Sequence, residues 1–117
     1  MRNQLQKTKI AFVATFPPTQ CGIATFTKDL ITAINSSFDQ TLNCVVCNIT
    51  HKPKNAKEVL FVLNPKIKEN YTIVANEINN DNTVKMVHIQ HEFGLFGGLY
   101  GDYLLLFLDQ IDIFSVL

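Results

Sequence analysis

Neither sign of charge predominates, since ten Lys and Arg balance ten Asp and Glu. Without net charge, and without a basic stripe interleaved with aromatics, a nucleic-acid partner has little electrostatic footing. Cysteine is scarce and odd in number, with Cys21, Cys44 and Cys47 only. That argues against a disulfide framework and for a reducing, cytoplasmic setting. Prolines are few and low-complexity runs are missing, while 47% of the residues are hydrophobic, which excludes a disordered or fibrous chain. No apolar stretch approaches the roughly 20 residues that span a bilayer, because residues 103–108 are stopped by Asp109 and Gln110. Only peripheral contact with a membrane stays open. The apolar residues 10–16 follow Arg2, Lys7 and Lys9 like a signal peptide, yet they end in Pro17-Pro18 with no small-x-small cleavage site. They read as a buried strand instead.

The chain of 117 residues is one domain at most, long enough to bury roughly two thirds of its unfolded surface. Residues 9–15 (KIAFVAT) form a nearly continuous apolar run, the pattern of a central parallel strand. Residues 16–22 (FPPTQCG) make a turn, and Ile23, Phe26, Leu30 and Ile34 then recur at helical spacing. Strands are predicted over 41–49, 59–63 and 84–89, with a basic, solvated loop at 51–57. A helix over 69–79 places Tyr71, Val74, Ala75 and Ile78 on one face, and a glycine turn at 93–98 leads to a helix over 99–111. Alternating strands and helices predict a doubly wound, Rossmann-like parallel sheet. In the last helix Leu104 to Leu108 cover every side, which points to deep packing or to further chain lying on its outer face. Residues 113–117 (IFSVL) look like one more strand opening, as in a fragment ended in mid-domain.

Several motifs fail on spacing. A Walker A loop is lacking, and one glycine at Gly22 is not a dinucleotide fingerprint. The turn Thr19-Gln20-Cys21-Gly22 still precedes a helix whose N-terminal amides and positive dipole end suit phosphate or carboxylate, the alternative being a tight turn capped by solvent. A papain-type signature would need a second cysteine where Ala24 stands, so Cys21 reads as a packed thiol rather than a nucleophile. Cys44 and Cys47 have CxxC spacing, but strand alternation aims them at opposite faces. His88, His91 and Glu92 invert the helical HExxH order on a strand edge, and no metal is expected. His88 shares a face with Met86 and reads as a core histidine. His91, Glu92 and Phe93 lie past the apolar strand, where open α/β sheets bind ligands. Gly94, Gly97, Gly98 and Gly101 match no nucleotide motif and suggest a flexible loop with close backbone approach.

Taken together, FPPTQCGIATFTKDL and VHIQHEFGLFGGLYGDYLLLFL resemble the N-terminal domain of the family 4 retaining glycosyltransferases of GT-B fold. Residues 41–82 add pattern but no motif. The resemblance implies that residues 1–117 are a partial, acceptor-side Rossmann-like domain of a two-domain enzyme. Such an enzyme transfers a sugar from a nucleotide-sugar donor to a carbohydrate acceptor with retention, without a cofactor or metal. The donor-binding domain, which would carry the E-x7-E element and the basic diphosphate-binding residues, lies outside this chain, which alone should be inactive. It further implies that Gly22 approaches the donor phosphates, with Gln20 and Cys21 beside it, although many members have a glycine pair there and Cys21 replaces the first. His91 matches the histidine that contacts the transferred sugar, followed by Glu92 and Phe93, and His88 matches a more variable position. Two other readings stand beside this one: a stand-alone α/β module binding a small anion or a protein, and a hydrolase dependent on Cys21.

Overall fold

The computed structural model describes residues 7–17, 22–38, 41–52, 56–91 and 94–117. The chain runs through β1 (Thr8–Ala14), α1 (Gly22–Ser37), β2 (Leu42–Ile49), β3 (Val59–Leu63), α2 (Lys68–Asn79) and β4 (Val84–Ile89). A short 3-10 turn at Leu99–Gly101, α3 (Leu104–Gln110) and β5 (Ser115–Val116) follow. The five strands form one parallel sheet in the order β3-β2-β1-β4-β5. This is the Rossmann-like, doubly wound arrangement that the alternating pattern predicts.

Strand alternation divides the core in two. Ala11, Val13, Val45, Cys47 and Val87 face α2 and α3, whereas Phe12, Cys44 and Val46 face α1. The central strands β1 and β2 are therefore apolar on both sides, as strands covered by helices on both faces must be. Cys44 and Cys47 do lie in different layers, and both thiols are free and buried. Burial pushes the Cys44 thiol up to about 11 and raises Cys47 further, with the nearby Glu77 charge adding to the latter. Neither is primed for thiolate chemistry.

The predicted strands over 59–63 and 84–89 appear with those bounds, and α2 buries Tyr71, Val74, Ala75 and Ile78 as its periodicity requires. Two helices depart from expectation. α1 buries Ala24, Thr27 and Ile31, while Phe26 is 56% exposed. The expected Leu30 and Ile34 do pack against the core beside fully buried Ile31, but the first two turns seat the small Ala24 and Thr27 in place of Phe26. The helix expected over 99–111 is divided: Gly98 and Gly101 take positive φ (85° and 79°), as does Tyr100 (56°), so α3 starts only at Leu104. Within α3, Leu104 and Phe107 are buried but Leu105 is 63% exposed. The last strand is two half-buried residues paired with Val87 and His88.

Two polar devices close gaps in this frame. β3 pairs with β2 only from Val46 onward, leaving the first residues of β2 without a strand on that side. The uncovered start of β2 is blunted instead of being left as an open edge. The Leu42 amide donates to the Phe38 carbonyl (2.8 Å), and the Asn35 carboxamide substitutes for a strand by accepting from the Cys44 amide (2.7 Å) and donating to its carbonyl (3.3 Å). At the amino end of the sheet, Lys9 on β1 reaches Asp81 before β4 at 2.9 Å. Burial alone would raise the Asp81 carboxyl, but hydrogen bonds from the Thr83 hydroxyl, Lys9 and the Thr83 amide, with the Lys9 charge, hold it below the ordinary range. A depressed carboxyl contributes stability that is present above its unfolded pKa, about 4, and lost as pH falls through the folded value. Urea unfolding from pH 6 to pH 3 should thus show a steeper acid loss for the native chain than for Asp81→Asn. Parallel curves would contradict this.

Candidate functional site

The strand order sets the site. From β1 the chain winds outward to β2 and β3, then returns across the sheet to β4 on the other side of β1. The helices that follow β1 and β4 pack on opposite faces of the sheet, so the ends of these adjacent strands mark the switch point where open α/β sheets bind ligands. Val13 pairs with Ile89, and the Gln90 amide donates to the Val13 carbonyl at 2.9 Å, tying the two strand ends together just below the site.

On the β1 side, Thr15 and Phe16 are buried. The Phe16 ring lies 5.6 Å beneath the Lys28 ammonium, which also faces Glu58 at 3.7 Å. Gln20 and Cys21 lie outside the described residues. Gly22 is the exposed first residue of α1, and a Cβ added to it would meet nothing within 4 Å. Its backbone thus needs glycine neither for conformation nor for space within the fold. No acidic residue occupies the first turn of α1, so no carboxylate within that turn offsets the positive end of the helix dipole.

On the β4 side, His88 is half-buried with its ring 5.0 Å from that of Phe12. This is the packed position expected of it. His91, three residues on, is exposed, and its ring stacks on buried Phe96 at 5.8 Å and 25°. Glu92 and Phe93 lie outside the described residues. Gly94 is exposed with φ 83° and open space around it. Gly97 and Gly98 are confined: a Cβ on Gly97 would overlap the Pro65 carbonyl, and one on Gly98 would overlap the Asp102 carboxylate and the Tyr103 ring. The close backbone approach expected of these glycines is found at Gly97. Beside His91 opens a hollow of about 460 Å3, walled by Leu104, Leu105 and Leu108 with Tyr100 and Asp102 at its rim. A larger one, about 550 Å3, lies at the far end of the sheet around Asn35 and Asn43, away from both turns.

The described residues bring to this edge the start of α1 and, beyond the end of β4, an accessible imidazole backed by a phenyl ring. Glu69 and Glu77 have E-x7-E spacing, but both are exposed on α2 in this domain. Among the described residues no three His, Cys, Asp or Glu side chains gather as a metal site, and no helix is long and apolar enough to cross a membrane. Sequence reasoning placed Tyr71 in the core but missed its hydroxyl, which bonds main-chain groups 6 and 26 residues away. No local pattern signals such partners.

Fold and switch-point edge together define an α/β protein of Rossmann-like architecture. No protein-family model matches the chain, and neither a curated protein nor a solved structure matches it.

Proposed function

We propose that the chain is the acceptor-side domain of a metal-independent, retaining glycosyltransferase that uses a nucleotide-sugar donor. The observation that carries the reading is the adjacency of β1 and β4, which brings side by side the ends of the two strands that lead to Gly22 and to His91. Breaking the bond between the anomeric carbon and the diphosphate leaves negative charge on the departing group. A preorganised positive dipole is the kind of partner that stabilises such charge. The start of α1 supplies one, and Gly22 there is exposed and carries no side chain of its own. His91, exposed and backed by Phe96, then faces the sugar.

In the complete enzyme, His91→Ala and Gly22→Val should each slow transfer at least tenfold, about 1.4 kcal/mol in barrier. Because Gly22 has open space around it, Gly22→Val should leave urea stability nearly unchanged, so that lost transfer reports lost ligand approach. Wild-type turnover in both variants would remove the site assignment. The helix N-terminus equally suits a stand-alone module for a small anion. Phosphate binding, weakened by Gly22→Val, in a chain that transfers no sugar even when joined to its following sequence would favour that module.

A further inference from the structure

We infer that Tyr71 is a positioning residue for His91, an inference that rests on reading His91 as the sugar-facing group. Tyr71 is fully buried on α2, and packing alone would be met there by phenylalanine. Its hydroxyl does something packing does not require. It donates to the Pro65 carbonyl at 2.7 Å, in the turn after β3, and accepts from the Gly97 amide at 2.9 Å, in the loop after β4. One buried oxygen thus ties together two turns at the carboxyl edge of the sheet.

Gly97 is seated there for a second, independent reason, since the overlap of any added Cβ with the Pro65 carbonyl shows how closely the two backbones meet. The residue before Gly97 is Phe96, whose ring lies 6.4 Å from Tyr71 on one side and 5.8 Å from His91 on the other. The Tyr71 hydroxyl fixes the main chain at Gly97, the main chain fixes Phe96, and the Phe96 ring supports the imidazole. Tyr103, edge-on to Tyr71 at 5.7 Å, closes the cluster and donates its own amide to the Gly97 carbonyl at 3.2 Å. Burial raises the Tyr71 hydroxyl above its ordinary value, so it keeps the proton it donates throughout the neutral range.

The experiment compares Tyr71→Phe, which removes only the oxygen, with Asn79→Ala. The latter removes two other hydrogen bonds of α2, from Asn79 to the Gln110 carbonyl (3.0 Å) and from the Asp112 amide to Asn79 (2.9 Å), at the opposite end of the helix. By NMR, Tyr71→Phe should speed exchange of the Gly97 amide by about tenfold or more, as expected when a buried donor loses its acceptor. It should also displace the His91 ring-proton resonances, which sense the Phe96 ring current. Asn79→Ala should lower stability without moving those resonances. In the complete enzyme, Tyr71→Phe should lower kcat with little change in donor KM. Unmoved His91 resonances, an equal displacement in Asn79→Ala, or unchanged kcat would each overturn the inference. Should Tyr71→Phe not fold, the native chain decides: Gly97 exchange as fast as that of exposed Gly94 overturns the inference, and marked protection upholds it. A wild-type enzyme without transfer would remove the functional reading while leaving the NMR result standing.

Discussion

Gly98→Val should destabilise the chain by about 3–5 kcal/mol, much of the stability of an ordinary domain. Gly98 has φ 85° and ψ −174°, a region open essentially to glycine alone. An added Cβ would also run into the Asp102 carboxylate and the Tyr103 ring. The carboxylate can swing away. The ring cannot move freely, because it packs edge-on against buried Tyr71 and its amide is bonded to Gly97. Valine at nearby glycines separates the contributions. Gly97→Val meets the fixed Pro65 carbonyl without positive φ; Gly94→Val has φ 83° with empty space around it; Gly22→Val has neither problem. Urea midpoints should therefore fall in the order Gly22, Gly94, Gly97, Gly98, with the last lowest. A Gly98→Val midpoint no lower than that of Gly94→Val would show that the loop yields around the new side chain.

That series marks where local sequence stops being informative. A cluster of glycines after an apolar strand announces a turn, and the strand itself is legible because its apolar run ends sharply at Ile89. Hence β4, the placement of His91 beyond it, and the burial of Tyr71, Val74, Ala75 and Ile78 on α2 all follow from local pattern. Which glycine is confined depends on Pro65 and Tyr103, brought in by tertiary packing. The seated face of α1 was hidden for a related reason. A hydrophobicity stripe favours Phe26, whereas the fold buries the smaller Ala24 and Thr27. Strand order is likewise beyond any window: nothing in residues 84–89 says that they pair with β1 and not with β3. The proposed site depends on that pairing, which the family resemblance implies but no local pattern carries.

The leucine-rich segment offers the second large effect, and it separates two accounts of the same residues. Phe107 is fully buried in the layer shared with α2, and Leu104 beside it is nearly so. Phe107→Ala should cost about 3–5 kcal/mol, the usual range for an aromatic removed from a core. α3 has only seven residues and no side-chain cap at its start. Its docking rests on Phe107 and Leu104, with partly buried Leu106 and Leu108 beside them, and on the Asn79 and Gln110 hydrogen bonds to α2 at its far end. Leu105 differs from Phe107 in exposure alone, not in apolar character. At 63% exposed, it should lose less than about 0.5 kcal/mol on Leu105→Ala if its face is open to water. If further polypeptide covers that face, as leucines on every side of the helix suggest, the same substitution in the longer protein should cost about 2–5 kcal/mol. Urea unfolding of both variants, in this chain and in an extended one, reads the difference directly. A small Leu105→Ala effect in both contexts would leave the outer face of α3 as surface, and a small Phe107→Ala effect in either would mean that α3 is not docked as described.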